Sequence, residues 1–221
     1  MPQELGRIEK PSAEGFKAAR KLFFVPLVFS PRDIQGELFE MIFRYWDQVE
    51  AQLVGLEQKL GSVKKVYHEL VPVGGEEGCK IIEELNSTSY GVVKARVEKG
   101  AELQALEDAD ILTESMDWTK CLAVGLQNEK VFAQVYEAYA LAQKKRNEHI
   151  AKVVSETLKE GEVGVLLMRE GHHVQFPGDM EVFYVSPPGL EDIKRWLRAQ
   201  EMEAEKHQMD DLQGEHGVEY Q

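Results

Sequence analysis

Cysteine is scarce in this 221-residue chain. Only Cys79 and Cys121 occur, far apart and in no CxxC pair, which argues against a disulfide framework and against a cysteine zinc site. Long hydrophobic runs are missing as well. The longest, Leu22 to Phe29 ("LFFVPLVF"), is interrupted by Pro26 and falls well short of the ~18 apolar residues of a membrane span. Positive charge is in deficit, with 26 Lys+Arg against 39 Asp+Glu and a net charge of −13. Such a surface repels phosphate backbones and anionic lipid headgroups, so neither nucleic acid nor a membrane surface is an expected partner. Glu4, Glu9 and Glu14 precede the first apolar run, against a secretory leader. Common catalytic signatures are absent too. "GGEEG" at 74–78 has neither the Lys-Ser/Thr of a P-loop nor GxGxxG spacing, no GxSxG elbow occurs, and neither cysteine has a histidine beside it. These absences read as a protein of the reducing cytoplasm.

What is present alternates between two periods. Residues 1–19 are polar and unpatterned and read as a flexible lead-in. "KLFFVPLVFS" reads as a buried strand, its proline marking an edge or a terminus. From Ile34 through Leu38, Ile42, Tyr45, Trp46, Val49, Leu53, Leu56 and Leu60 an apolar stripe with helical spacing runs to a stop at Gly61. "SVKKVYHELVPV" reads as a second strand, 76–100 as helical with a break at "NSTS" (86–89), and 101–107 as a short helix. "ADILTES" reads as a third strand and 128–160 as a long amphipathic helix. "VGVLLM" has the continuous apolar pattern of a strand covered on both faces. "MEVFYVSPP" is a last strand, followed by a helix from Gly189 to about Glu203, and from 204 onward the acidic, aliphatic-poor tail reads as disordered. The expected fold is a single α/β domain over 20–203, a mainly parallel central sheet covered by helices, several of them long and amphipathic.

In open α/β sheets ligands gather at the carboxyl ends of the strands, which makes the strand exits the places to search. The second strand leaves through His68 and Glu69, the expected third through Glu114 and Asp117, and "MREGHH" through Arg169, Glu170, His172 and His173. Arg146, in the long helix, is placed where it could pair with these carboxylates. If the exits converge, Glu69, His68, His172 and His173 make a mixed oxygen and nitrogen set that suits a divalent transition metal, Zn²⁺, Mn²⁺ or Fe²⁺. Strand alternation sends His68 and Glu69 to opposite faces, and Gly171 before the histidines also fits a plain exposed turn.

One segment carries a resemblance. "KKRNEHIAKVVSETLKEGEVGVLLMREGHHV" (144–174) resembles the carboxy-terminal core of the TraB/PrgY/Tiki superfamily, where a helix with an "ERDxYMA"-like start leads into a strand ending "GAGH". Arg146, Asn147, Ile150 and Ala151 echo the helix, Gly171-His172 match the strand end, and "VYHEL" resembles that group's "VAVEL", which would make Glu69 the matching acidic residue. The chain departs at the family's first-strand "GTxH", where it has "VPLVFS" with Phe29 at the histidine, and at the first glycine of "GAGH", where it has Arg169. The resemblance implies two readings. One is a degenerate member that keeps the fold as a binding or scaffold protein, its long amphipathic helices free to pack a protein partner or a second copy of the chain. The other is a metal-dependent hydrolase with Glu69 and His172 as ligands or acid/base groups, His173 and Glu170 as supporting polar groups, and Arg146 or Arg169 stabilising developing negative charge.

Overall fold

The computed structural model describes residues 18–30 and 35–215. In chain order the elements are β1 (Arg20–Pro26), α1 (Glu37–Leu60), β2 (Val63–His68), α2 (Gly75–Leu85), α3 (Ser87–Val97), β3 (Glu102–Leu103), α4 (Ala109–Ala123), α5 (Glu129–Thr157), β4 (Val163–Met168), β5 (Met180–Tyr184) and α6 (Pro188–Glu215). The strands form one sheet in the order β3-β2-β4-β1-β5, and every neighbouring pair is parallel. The fold is the expected α/β architecture with a parallel sheet. Among the described residues no helix is long and apolar enough to cross a membrane. Most of the flexible lead-in expected at 1–19 lies outside the described residues.

Strand alternation divides the core in two. Phe23 and Val25 of β1 face one side with Val165 and Leu167 of β4, and there α1 packs through Ile42, Tyr45, Trp46, Val49 and Leu53, joined by α2, α3 and α6. Leu22, Phe24, Tyr67 and Leu166 face the other side, where α5 lays down Ile150, Val154 and Leu158, one residue per helical turn. All six residues of β4 are buried, as its continuous apolar pattern predicts for an interior strand. Pro26 ends β1, a position a strand tolerates in proline.

Three expectations need correction. "ADILTES" is not a strand but the start of α4. Asp108 caps that helix, its Oδ1 accepting from the backbone N–H groups of Asp110 and Ile111, each at 3.0 Å. The third strand lies in the stretch read as a short helix: Glu102 and Leu103 pair with Lys65 and Val66 of β2, and the Lys65–Glu102 ion pair reinforces the register. Helix propensity in "AELQALE" loses here to edge pairing. Residues 204–215, read as disordered, continue α6 as helix.

Lengths place the site. With 29 residues, α5 is about 44 Å long, whereas a six-residue strand covers roughly 20 Å. The end of α5 reaches the amino edge of the sheet, where Arg20 of β1 donates through Nη1 to Ser155 O at 2.7 Å. Its first half therefore overhangs the carboxyl edge, paired with α4 rather than with the sheet. This division predicts opposite responses along one helix. Ile150→Ala, under the sheet, should cost about 2–5 kcal/mol, and Val131→Ala, on the overhang, within about 0.5 kcal/mol. Urea unfolding followed by circular dichroism distinguishes them.

Candidate functional site

β2, β3 and β4 deliver Glu69, Glu107 and Arg169 to the same edge. After Tyr67, which packs toward α5, the chain alternates: His68 turns to the α3 face and Glu69 back to the α5 face. Arg146 lies one turn before Ile150 on the stripe of α5 that packs on the sheet, so it is buried just where the apolar part of the sheet ends. There it is met by carboxylates. Its Nε donates to Glu107 Oε2 at 2.9 Å and its Nη2 to Glu69 Oε1 at 3.1 Å, with a further contact from Nη2 to Glu107 Oε1. Arg169 closes on Glu69 from the other side. Its backbone N–H donates to Oε2 at 2.8 Å, its Nη2 to Oε1 at 3.0 Å, and its Nε to Oε1 and Oε2 at 3.1 and 3.2 Å. Glu107, Arg146, Glu69 and Arg169 thus form a chain of alternating charge whose formal sum is zero. Glu69, Glu107 and Arg146 are buried, while the Arg169 side chain is 56% exposed.

The electrostatics follow from that contact pattern. Burial alone would raise the Glu69 carboxyl, but the Arg169 hydrogen bonds and the charges of Arg169 and Arg146 outweigh it and hold the group below its ordinary value. Burial would likewise weaken the Arg146 cation; Glu107 and then Glu69 reverse this and raise it. Leu70, next to Glu69, has φ +70°, a left-handed conformation uncommon for a residue with a side chain. Its N–H donates to Glu107 Oε1 at 3.1 Å, so the same carboxylate that holds Arg146 also fixes this strained turn.

Around this buried floor lies a cleft of about 770 Å³ between the α5 overhang, with Tyr136, Tyr139, Gln143 and Asn147, and the turn after β4, with Arg169, His172 and His173. Gly171 takes φ +80° in that turn. Residues 169–179 then recross β1 on the α5 face without a helix. The His172 ring packs 4.8 Å from that of Phe24, and its Nδ1 accepts from the Val174 N–H at 3.2 Å. Burial depresses the His172 pKa, against the attraction of Glu69.

Glu69, Arg146, His172 and His173 therefore line one cleft, and His68 does not. His68 is fully buried on the α3 side, its Nδ1 at 2.7 Å from Glu69 O and its Nε2 at 3.0 Å from Ser89 Oγ. Glu114 and Asp117, expected at a strand exit, ride on α4 and pair with Lys145 and Lys120 at 3.2 and 3.0 Å. The expected metal set does not assemble. Its best oxygen donor, Glu69, is filled by two guanidinium groups that would repel a cation, and among the described residues no group of three or more His, Cys, Asp or Glu could hold a metal ion. Glu107, Tyr136 and Tyr139 escaped the sequence reading. Asp108 as a helix cap would have revealed Glu107 as the residue leaving β3.

Comparison with protein-family models, with curated proteins and with solved structures returned no match.

Two stability measurements probe this geometry. The folded His68 pKa is lowered to about 4, by burial above all, against roughly 6.5 in an unfolded chain. Between those values the unfolded state binds more protons, so stability is fully present above about pH 6.5 and falls as pH drops toward 4, by on the order of 3 kcal/mol. His68→Gln, keeping hydrogen-bonding capacity without the titration, should flatten that slope in urea midpoints taken from pH 7.5 to 4.5. In the second, Glu69→Ala, which leaves Arg146 with Glu107 alone and Arg169 with solvent, should cost about 1.5–3 kcal/mol. Arg169→Ala should cost less, because solvent reaches that side.

Proposed function

We propose that this chain is a non-catalytic binding protein that holds a small molecule in the cleft at the carboxyl edge of its sheet, as a sensor or carrier rather than an enzyme. The observation that carries the reading is the saturation of Glu69. A general base needs a free lone pair and a pKa near the working pH; both Glu69 oxygens accept hydrogen bonds and the carboxyl is held low. His172 has Nδ1 engaged by the Val174 N–H, and His68 is sealed in the core. The cleft volume, about 770 Å³, falls in the range of small-molecule sites, and the strand order supports the location. The helices that follow β1 and β2 pack on one face, whereas the connections leaving β3 and β4 lie on the other, and such a switch in an α/β sheet is where ligands settle.

On this reading the chain is a degenerate relative of the TraB/PrgY/Tiki group that keeps the fold in the cytoplasm. The exposed Val131, Phe132 and Leu141 of the overhang give a protein partner or a second copy of the chain an apolar surface, as expected of the long helices.

A thermal-shift screen of small molecules of mixed charge tests the proposal. A ligand at 100 times its Kd stabilises by about 2.7 kcal/mol, which raises the Tm of a chain of this size by roughly 5–10 °C. Hits should be recovered chemically unchanged by NMR, and Zn²⁺ or Mn²⁺ alone should leave the Tm unmoved. Product formation, or stoichiometric metal that a His172→Ala variant loses, would overturn the reading in favour of a metal-dependent hydrolase.

A further inference from the structure

Arg146 and Arg169 approach Glu69 from opposite elements and both donate through Nη2 to the same oxygen, Oε1. Each spends its Nε and Nη2 on carboxylates, and the Nη1 group of each has no hydrogen-bond partner among the described residues. Both side chains line the cleft. A guanidinium clamped along one edge has already lost its rotamer freedom, so its remaining donors can bind a second acceptor at little further entropic cost. Glu69 is thus a positioning residue: it aligns two cationic forks beside one cavity.

The rest of the cleft points the same way. Its other carboxylates face cations of their own, Glu170 with Lys194 at 2.7 Å and Glu148 with Lys144 at 3.9 Å. His172 accepts at Nδ1, which leaves the proton of a neutral ring on Nε2, a donor. On the helical wall the Tyr136 and Tyr139 ring centroids are 6.2 Å apart, and Tyr136 is braced by Phe132, stacked at 6.0 Å. Fixed donors on the floor and aromatic faces on the wall are complementary to a molecule with an acidic group and a planar ring.

We infer that the cleft binds an organic oxyanion, a carboxylate or phosphate monoester bearing an aromatic ring, with the free edges of Arg169 and Arg146 as its anchor and Tyr136 as its ring platform. This rests on the binding-protein reading above and adds the chemical class of ligand.

Titration calorimetry on the full chain with phenyl phosphate, benzoate, benzyl alcohol and benzylamine tests it. The two anions should bind at least tenfold more tightly than the alcohol and the amine, and raising NaCl from about 50 to 300 mM should weaken the anions while leaving the neutral alcohol unchanged. Arg169→Lys keeps a cation beside Glu69 but loses the fork; it should weaken phenyl phosphate by about tenfold with little change in Tm. Tyr136→Ala, at an exposed position, should weaken phenyl phosphate several-fold while its affinity for inorganic phosphate holds. If the alcohol or the amine binds as tightly as the anions, the oxyanion assignment falls and the binding-cleft reading stands. If none of the four binds while the broader screen yields hits, the assignment falls alone; if that screen is also empty, both fall. Phenyl phosphate binding that is unchanged in both variants would place the anion elsewhere and overturn the inference.

Discussion

One oxygen of one buried carboxylate holds this structure's functional edge together. Glu69 Oε1 receives Arg146 from α5 and Arg169 from the end of β4, and Arg146 in turn holds Glu107 beyond β3. Strand exits distant in sequence and one helix thereby meet at one carboxylate. Burying ions costs several kcal/mol each before any attraction is counted, so this chain is a poor source of net stability. Its contribution is positional. The formal charges cancel, both carboxylates accept hydrogen bonds, and the helix settles with its guanidinium between the two acids.

That constraint acts through a lightly covered face. Four helices shield one side of the sheet, and α5 with the crossover of 169–179 shields the other. Val182 and Tyr184 of edge strand β5 stay exposed there. The apolar anchor of α5 consists mainly of Ile150, Val154 and Leu158, all toward the amino edge. Arg146, one turn before Ile150, is the polar member of that buried stripe, and Ala142 continues it a turn further toward the overhang.

How far the sequence was legible follows from which physical term dominated each segment. The stripe from Ile42 to Leu53 and the apolar run of β4 were readable because burial period and secondary structure agree there. The 101–115 region was not. Glu102 and Leu103 form a strand only because β2 offers an edge, and no window around two residues contains that information. Ile111 and Leu112, adjacent in sequence, imitate a strand although Asp108 starts a helix before them. That mistake displaced the third exit from Glu107 to Glu114, and with it the partner that explains why Arg146 is buried. Glu69, Arg146, His172 and His173, each legible at a strand exit or on the long helix, line one cleft, and the opposite facing of His68 and Glu69 followed from alternation alone. The roles were harder: composition reveals a carboxylate near two imidazoles, whereas only geometry reveals that its lone pairs are already taken.

Arg169 decides between the chemistries open to such a site. A carboxylate at a strand exit beside a histidine becomes a base or a metal ligand when its second oxygen faces an open cavity. Here the residue after β4 sends its backbone N–H and its side chain to the same carboxylate, so the cavity sees the outer edge of a cation where it would otherwise see an anion.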